Sequence, residues 1–406
     1  MLTYKVQLYP NKQQQAKLVE QLDICRKLYN KLLEECKKAR EKGEKITQIK
    51  TQSFIVGLKN NSMPELKGVY SKVLQMVNYT LWVNIKSLSK LKKNGRKIGH
   101  LRFKGRGWYK TINYNQSGFK IDEYKNKITF SKIGIINCRG LNNRVRKNKI
   151  KGIILKRSQT GRWFANIQIE NTPTDLPKNN KSVGIDVGVS SFIVDSDGRM
   201  IENPKNIDKQ LKRIKVAHRI LSRKKKGSKN WLKAKIQLAK LLAKVTNQRK
   251  DFLHKVSRFY VNVYDLVCVE DLNIKELSQN GNGNNKRSRT LHRHILDASW
   301  GQFFNYLSYK AANADKKLVK VHPKGTTQEC SSCGQIVKKN LSDRTHFCPY
   351  CNLELDRDYN ASINILKRGT GRASILVENR PLVTISASAI VSGQVFSMNQ
   401  ETPSLR

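Results

Sequence analysis

The sequence predicts a multidomain fold: an antiparallel β-barrel with a helical insert, then an α/β domain carrying an inserted four-cysteine ribbon. Three observations point to it. Long apolar stripes at helical spacing run through the N-terminal part of the chain. Short alternating runs broken by Gly and Asn occupy residues 98–170, and strand and helix patterns alternate beyond a Pro- and Asn-rich stretch at Thr172–Asn180.

Residues 2–9 alternate, with Tyr4, Val6 and Leu8 on one face, and read as a strand. Asn11 caps a helix reaching about Lys42, striped by Leu18, Leu22, Cys25, Leu28, Tyr29, Leu32 and Cys36; Gly43 ends it. A second helix is expected over 64–93, opening on Pro64 and carrying Val69, Val73, Met76, Val77, Leu81 and Val83. Strands at Thr111–Tyr114, Lys127–Phe130, Lys151–Lys156 and Trp163–Glu170 then complete a barrel with strand 2–9. The barrel would take residues 1–10 and 97–172, and the helical insert 11–96.

After the linker comes a strand holding Asp186, then a hairpin through Ser191–Asp195 closed by Asp197-Gly198. Residues 206–260 read as two basic helices and 264–270 as a strand ending in Glu270. Residues 276–291 are polar and Gly/Asn-rich, and with Gly281 and Gly283 as hinges they read as a lid. A helix over 292–314, a strand over 317–322 and a helix from near Asp358 complete an α/β domain of ribonuclease H type, spanning 181–322 and 353–368. The ribbon takes 323–352, and 369–406 reads as a mobile tail.

Lys and Arg number 79 against 30 acidic residues, a formal net charge of +49. Such a chain repels itself unless a polyanion offsets it, and nucleic acid is the obvious one. At 38% hydrophobic content the chain is globular, not a disordered basic tail. A membrane-surface binder fits less well, since the charge is spread over the whole chain. No stretch approaches the ~20 apolar residues of a membrane span, and the N-terminus lacks a signal-peptide run. With Cys25, Cys36, Cys138 and Cys268 single in apolar patterns, the expected setting is a reducing cytoplasm.

Cys330-x-x-Cys333 and Cys348-x-x-Cys351 are 14 residues apart, the spacing of two knuckles that deliver four thiolates to one tetrahedral, structural zinc. Gly334 stands where the first knuckle turns. Asp186, Glu270 and Asp358 each end or cap an apolar element. Three converging carboxylates make a pocket for Mg²⁺ or Mn²⁺, and two such ions stabilise both oxygens of a phosphodiester displacement. Asp271 alternates to the opposite strand face, and Asp356 reads as a helix cap.

The motifs Gly184-Ile-Asp-Val-Gly188, Val269-Glu-Asp-Leu-Asn273 and Asp356-Arg-Asp-Tyr-Asn-Ala361, with the ribbon between the last two, resemble the TnpB family. Its members are RNA-guided nucleases of insertion sequences, related to type V CRISPR effectors. Pro10-Asn-Lys-Gln, the Lys310-Ala segment and Thr326-Thr-Gln-Glu-Cys330 resemble the family too, while Val187 and Val189 stand where Leu is more usual. The resemblance implies a wedge-type barrel, a helical recognition insert, a RuvC-type site at Asp186, Glu270 and Asp358, and a guide RNA from the element's end. The expected function is metal-dependent cutting of double-stranded DNA beside a short motif, by a monomeric protein within a ribonucleoprotein. Arg213, Arg219, Arg223 and Lys224 would hold the heteroduplex backbone, Trp82 would stack on a nucleotide, and Gln75 and Asn78 would read the motif. A guide-dependent repressor without cleavage and a transposition accessory DNA-binding protein are the alternatives.

Overall fold

A computed structural model describes residues 2–122, 124–141, 145, 148–170, 176–279, 286–340, 343–371 and 381–392. The chain divides into two compact units, Met1–Asn171 and Thr172–Arg406.

The first unit opens with β1 (Leu2–Tyr9) and α1 (Lys12–Glu41). A reciprocal capping box starts α1: Gln14 N–H donates to Asn11 Oδ1 at 2.8 Å, and Asn11 N–H to Gln14 Oε1 at 3.0 Å. The buried face of α1 is the predicted stripe from Leu18 to Leu32. A helix α2 (Gln48–Asn60) follows, and the expected 64–93 helix divides into a 3₁₀ turn, Pro64–Gly68, and α3 (Ser71–Lys93).

β2 (Thr111–Asn115), β3 (Phe119–Ile121), β4 (Lys127–Phe130), β5 (Gly134–Arg139), β6 (Ile150–Arg157) and β7 (Trp163–Ile169) join β1 in an antiparallel sheet of order β2-β6-β7-β1-β5-β4-β3. The sheet curls into a barrel-like form. Tyr114 of β2 packs on Phe130 of β4 at 5.3 Å, and its hydroxyl donates to Ser131 O at 2.9 Å. Helices and sheet share a single core, so the insert is not a separately packed domain.

The second unit holds β8 (Ser182–Val187), β9 (Ser191–Asp195), β10 (Arg199–Glu202), α4 (Asn206–Ser222), α5 (Lys229–Val263) and β11 (Leu266–Glu270). Then come α6 (Ile274–Gln279), α7 (Lys286–Ala298), α8 (Trp300–Asn313), β12 (Lys317–Val321), the ribbon strands β13 (Thr345–Phe347) and β14 (Glu354–Asp356), and α9 (Arg357–Thr370). The sheet order is β12-β11-β8-β9-β10, edged by β15 (Val383–Ile385): an antiparallel meander of β8, β9 and β10, with β11 and β12 added parallel to β8. This is the topology expected of a ribonuclease H-type domain. Buried Asp195 closes the β9–β10 turn, accepting from the backbone N–H of Asp197 at 3.0 Å and of Arg199 at 2.9 Å, and from Tyr260 OH at 2.9 Å.

One expectation is corrected. Within the supposed tail, β15 (Val383–Ile385) pairs parallel with β10, and α10 (Ala387–Ser392) buries Ala387 and Ile390 in the core. The polar 276–291 stretch is largely helical where described, in α6 and α7, while Gly281 and Gly283 lie outside the described residues. α7 is anchored by polar contacts: Arg293 and His294 lie 3.3 Å and 2.8 Å from the Asp208 carboxylate of α4, and Asp297 accepts from Arg249 and from Ile207 N–H. Ser299, at φ 56°, separates α7 from α8.

Helix α9 lies on the sheet with unusual closeness. A Cβ on Gly184 of β8 would come within 2.1 Å of Ser362 O and 2.6 Å of Leu366 N, and one on Gly369 within 2.2 Å of Cys268 Sγ. Only glycine admits that approach. Gly184→Ala is therefore expected to push α9 off the sheet, costing about 1–3 kcal/mol or more, read as a lowered urea unfolding midpoint. Gly57→Ala, in a helix with nothing within 4 Å of the added methyl, is the matched control and should be neutral or stabilising.

Candidate active site and four-cysteine cluster

Period-two alternation decides which side of the sheet each strand residue faces. Val183, Ile185 and Val187 of β8, with Val267 and Val269 of β11, join the core that also takes in α5 and α8. The even-numbered residues face the other way, toward α9, where Cys268 packs with Ile365 and Leu366. Asp186 and Glu270 are both even. The parallel register that sets Val269 opposite Ile185 brings the two carboxylates level, at the carboxyl ends of adjacent strands. Strand order also reverses at this pair, and sheets of this kind leave a crevice for ligands at such a point.

Asp358 arrives from the first turn of α9. Asp356 is the N-cap, as its position suggested: its Oδ1 accepts from Asp358 N–H at 2.9 Å and Tyr359 N–H at 3.0 Å. Asp271 is exposed and ion-paired with Lys320 at 2.8 Å, away from Glu270. Arg357 lies 3.0 Å from Asp358 Oδ1, and Arg344 reaches to 4.0 Å from Oδ2. Sequence reasoning passed over both arginines, which look like two more members of a very basic chain.

Asp186 registers the other two carboxylates in its electrostatics. Burial pushes Asp186 well above the ordinary carboxylate range, the negative charges of Glu270 and Asp358 push it further, and the Val187 amide and Arg357 offset only part. Burial likewise raises Glu270, against the hydrogen bond from Thr326 and the charge of Arg368. A bound cation would relieve the burial of Asp186 and Glu270 and the repulsion felt at Asp186.

The cysteine cluster is built by two similar turns. In each, the first Cys donates its N–H five residues on, Cys330 to Gln335 O and Cys348 to Leu353 O, both at 2.9 Å. It also accepts from the residue four on, Gly334 or Asn352, both again at 2.9 Å. That fourth residue is left-handed in both turns, Gly334 at φ 77° and Asn352 at φ 57°. Cys330 and Cys351 sulfurs are 3.6 Å apart and those of Cys333 and Cys348 3.5 Å, close to the ~3.8 Å edge of a tetrahedron with Zn–S of about 2.3 Å. Among the described residues, these four form the group of potential ligands whose donor atoms all lie within 4.8 Å of one another; the carboxylates are set wider. The donor set fits zinc.

The two sites share α9. Asn360 accepts from Ser331 N–H at 2.9 Å and donates to Glu329 O at 2.8 Å; Asn364 donates to Thr326 O at 2.9 Å and Glu329 O at 2.7 Å. Both asparagines are almost wholly buried. Two Asn four apart on an otherwise apolar helix face were the signal for this clamp in the sequence.

Residues 166–281 match a family model described as "Probable transposase", and residues 300–365 one described as "Cas12f1-like, TNB domain". Over 379 residues, 90% of this chain and 92% of the relative, the sequence is 31% identical to the Escherichia coli K12 protein named "Putative RNA-guided DNA endonuclease InsQ". The chain belongs to the TnpB family. Another relative, "TnpB-like protein MJ0751" of Methanocaldococcus jannaschii, is 29% identical over 224 residues, 52% of this chain and 77% of its own. Among solved structures, a Cas12f1–sgRNA–target DNA complex aligns with a TM-score of 0.50 at 18% identity, covering 86% of this chain and 82% of that one, a likeness of fold. Residues 1–45 match a model described as "Helix-turn-helix domain". In this TnpB protein they form one strand and one long helix.

The candidate nucleic-acid contacts fare unevenly. Arg213, Arg219, Arg223 and Lys224 are exposed on α4 and the turn after it. Gln75 is exposed and lines an open groove with Gln48, Gln52 and Val56. Asn78 is corrected: it is fully buried, accepting from Thr51 at 2.8 Å and donating to Gln48 O at 3.0 Å and Gln52 at 3.1 Å. Trp82 is half-buried and donates to Thr51 Oγ1 at 2.8 Å, so its polar tip has an internal partner. Both residues clasp α3 to α2.

Proposed function

We propose that this TnpB protein is an RNA-guided, divalent-metal-dependent endonuclease cutting double-stranded DNA beside a short motif, with Asp186, Glu270 and Asp358 as its RuvC-type site. The observation that carries the reading is the set of three carboxylates on one side of the sheet, at the crevice end of β8 and β11, in a chain aligned nearly end to end with a relative of that name. Asp186, Glu270 and Asp358 would hold Mg²⁺ or Mn²⁺, which on binding supplies a deprotonated water and neutralises the charge developing on the phosphate. Arg357 and Arg344 hold Asp358 in place and moderate the negative field of the site. The four cysteines would hold one structural zinc.

Exposed Arg213, Arg219, Arg223 and Lys224 would bind the guide–target duplex by its phosphates, and Gln75 would face a base edge. The protein would act in the cytoplasm as one chain on one guide RNA; among the described residues no helix is long and apolar enough to cross a membrane. A guide-dependent repressor is the weaker reading, because it gives three carboxylates on one side of the sheet nothing to do.

Cutting by RNA-free protein, compared with protein reconstituted with its co-purified RNA, tests this on matched and mismatched duplexes. Cleavage is expected with RNA and a matched target alone, and mismatches nearest the recognition motif should be the most damaging. Efficient, sequence-indifferent cutting without RNA would overturn the guided reading.

A further inference from the structure

Thr326 stands four residues before Cys330, is 2% exposed, and donates its hydroxyl to Glu270 Oε1 at 2.5 Å. Glu270 is itself 9% exposed, so the bond is shielded from water, where a hydrogen bond is stronger than at the surface. Thr326 is held in turn by the protein around the cysteines. Its carbonyl accepts from Asn364 of α9, and Glu329 N–H closes the turn back to Gly325 O at 2.9 Å. One residue thus joins the end of β11, the helix bearing Asp358, and the approach to the first cysteine knuckle.

A carboxylate on a metal needs its rotation fixed, and a hydroxyl on one oxygen does this while leaving the other to ligate. We propose that Thr326 is a positioning residue: its hydroxyl orients Glu270 toward the cation and makes the ordering of the nuclease site depend on the cysteine-held knuckle. The proposal rests on the metal-dependent reading above.

The test compares full-length wild type, Thr326→Val and Thr326→Ser. Valine keeps the volume and removes the hydroxyl; serine keeps the hydroxyl and removes a methyl. Two readouts are taken: the Mn²⁺ concentration for half-maximal cutting by the RNA-loaded protein, and Mn²⁺ binding followed by EPR on the full chain stripped of nucleic acid.

Thr326→Val is expected to weaken both by about 10- to 100-fold with zinc content and target binding unchanged, and Thr326→Ser to restore most of the loss. Wild-type Mn²⁺ dependence in Thr326→Val would overturn the proposal. So would equal loss in the serine and valine variants, which would assign the effect to the methyl group. Asp186→Ala is the control: if it leaves Mn²⁺ binding as in wild type, the metal reading itself fails, whatever Thr326 does.

Discussion

Asp186→Ala, Glu270→Ala and Asp358→Ala are each expected to reduce metal-dependent cleavage of duplex DNA by about a thousandfold or more. Losing a ligand forfeits several kcal/mol of transition-state stabilisation, and each ~1.4 kcal/mol is tenfold in rate. Affinity for guide and target should stay nearly constant, since it is shared among many phosphate contacts. A cleavage assay beside a filter-binding assay separates the two effects. Full activity in Asp358→Ala together with loss in Asp356→Ala would exchange the roles assigned to ligand and cap.

The same variants carry a stability signature whose sign follows from the raised carboxyls. In the folded protein Asp186 and Glu270 hold their protons to higher pH than in the unfolded chain. Their contribution is therefore fully present below the unfolded carboxylate range near pH 4 and is lost as pH rises through their raised folded values. A cation binds the ionised forms. Mn²⁺ should thus raise the unfolding temperature of the wild type increasingly as pH rises through the folded carboxyl values, and should leave Asp186→Ala unmoved throughout.

The second large effect concerns the cysteines. Cys348→Ser is expected to abolish stoichiometric zinc and unfold the ribbon. Structural zinc supplies on the order of 10 kcal/mol to modules of this kind. Elemental analysis and the thermal midpoint check this, with one zinc per chain expected in the wild type. Because Asn360 and Asn364 of α9 hold the knuckle backbone, cleavage should fall in parallel. A folded, active Cys348→Ser protein lacking zinc would contradict both the metal assignment and the coupling.

What was legible in the sequence followed from strict periodicities. The α1 stripe, the β8–β9 hairpin and the cysteine spacing each repeat a local geometry that side-chain type alone reveals. α2 was not legible because Ile49 and Val56 are exposed while Thr51 is buried, which erases the helical stripe. Asn78 was misread because its partners lie on another helix, and a lone Asn in an apolar row resembles a functional residue until they are known. β15 is three residues long, too short to show a period; only the free edge of β10 makes it a strand. Asp186, Glu270 and Asp358 were each weak signals singly. Their shared face became visible once register placed the two strands level.

The close contact of α9 with the sheet bears on how such a chain can change over evolutionary time. Loops of the barrel and the surface of its helices can lengthen or drift one residue at a time. The helix that carries Asp358 has less freedom, because it touches Gly184 and Cys268 on one side and the knuckle backbone on the other. Recombination that brought in a foreign ribbon without its following helix, or that helix without a matching glycine in β8, would break one contact or the other. Ribbon, helix and β8 are matched parts, and a change in one is expected to need a change in another.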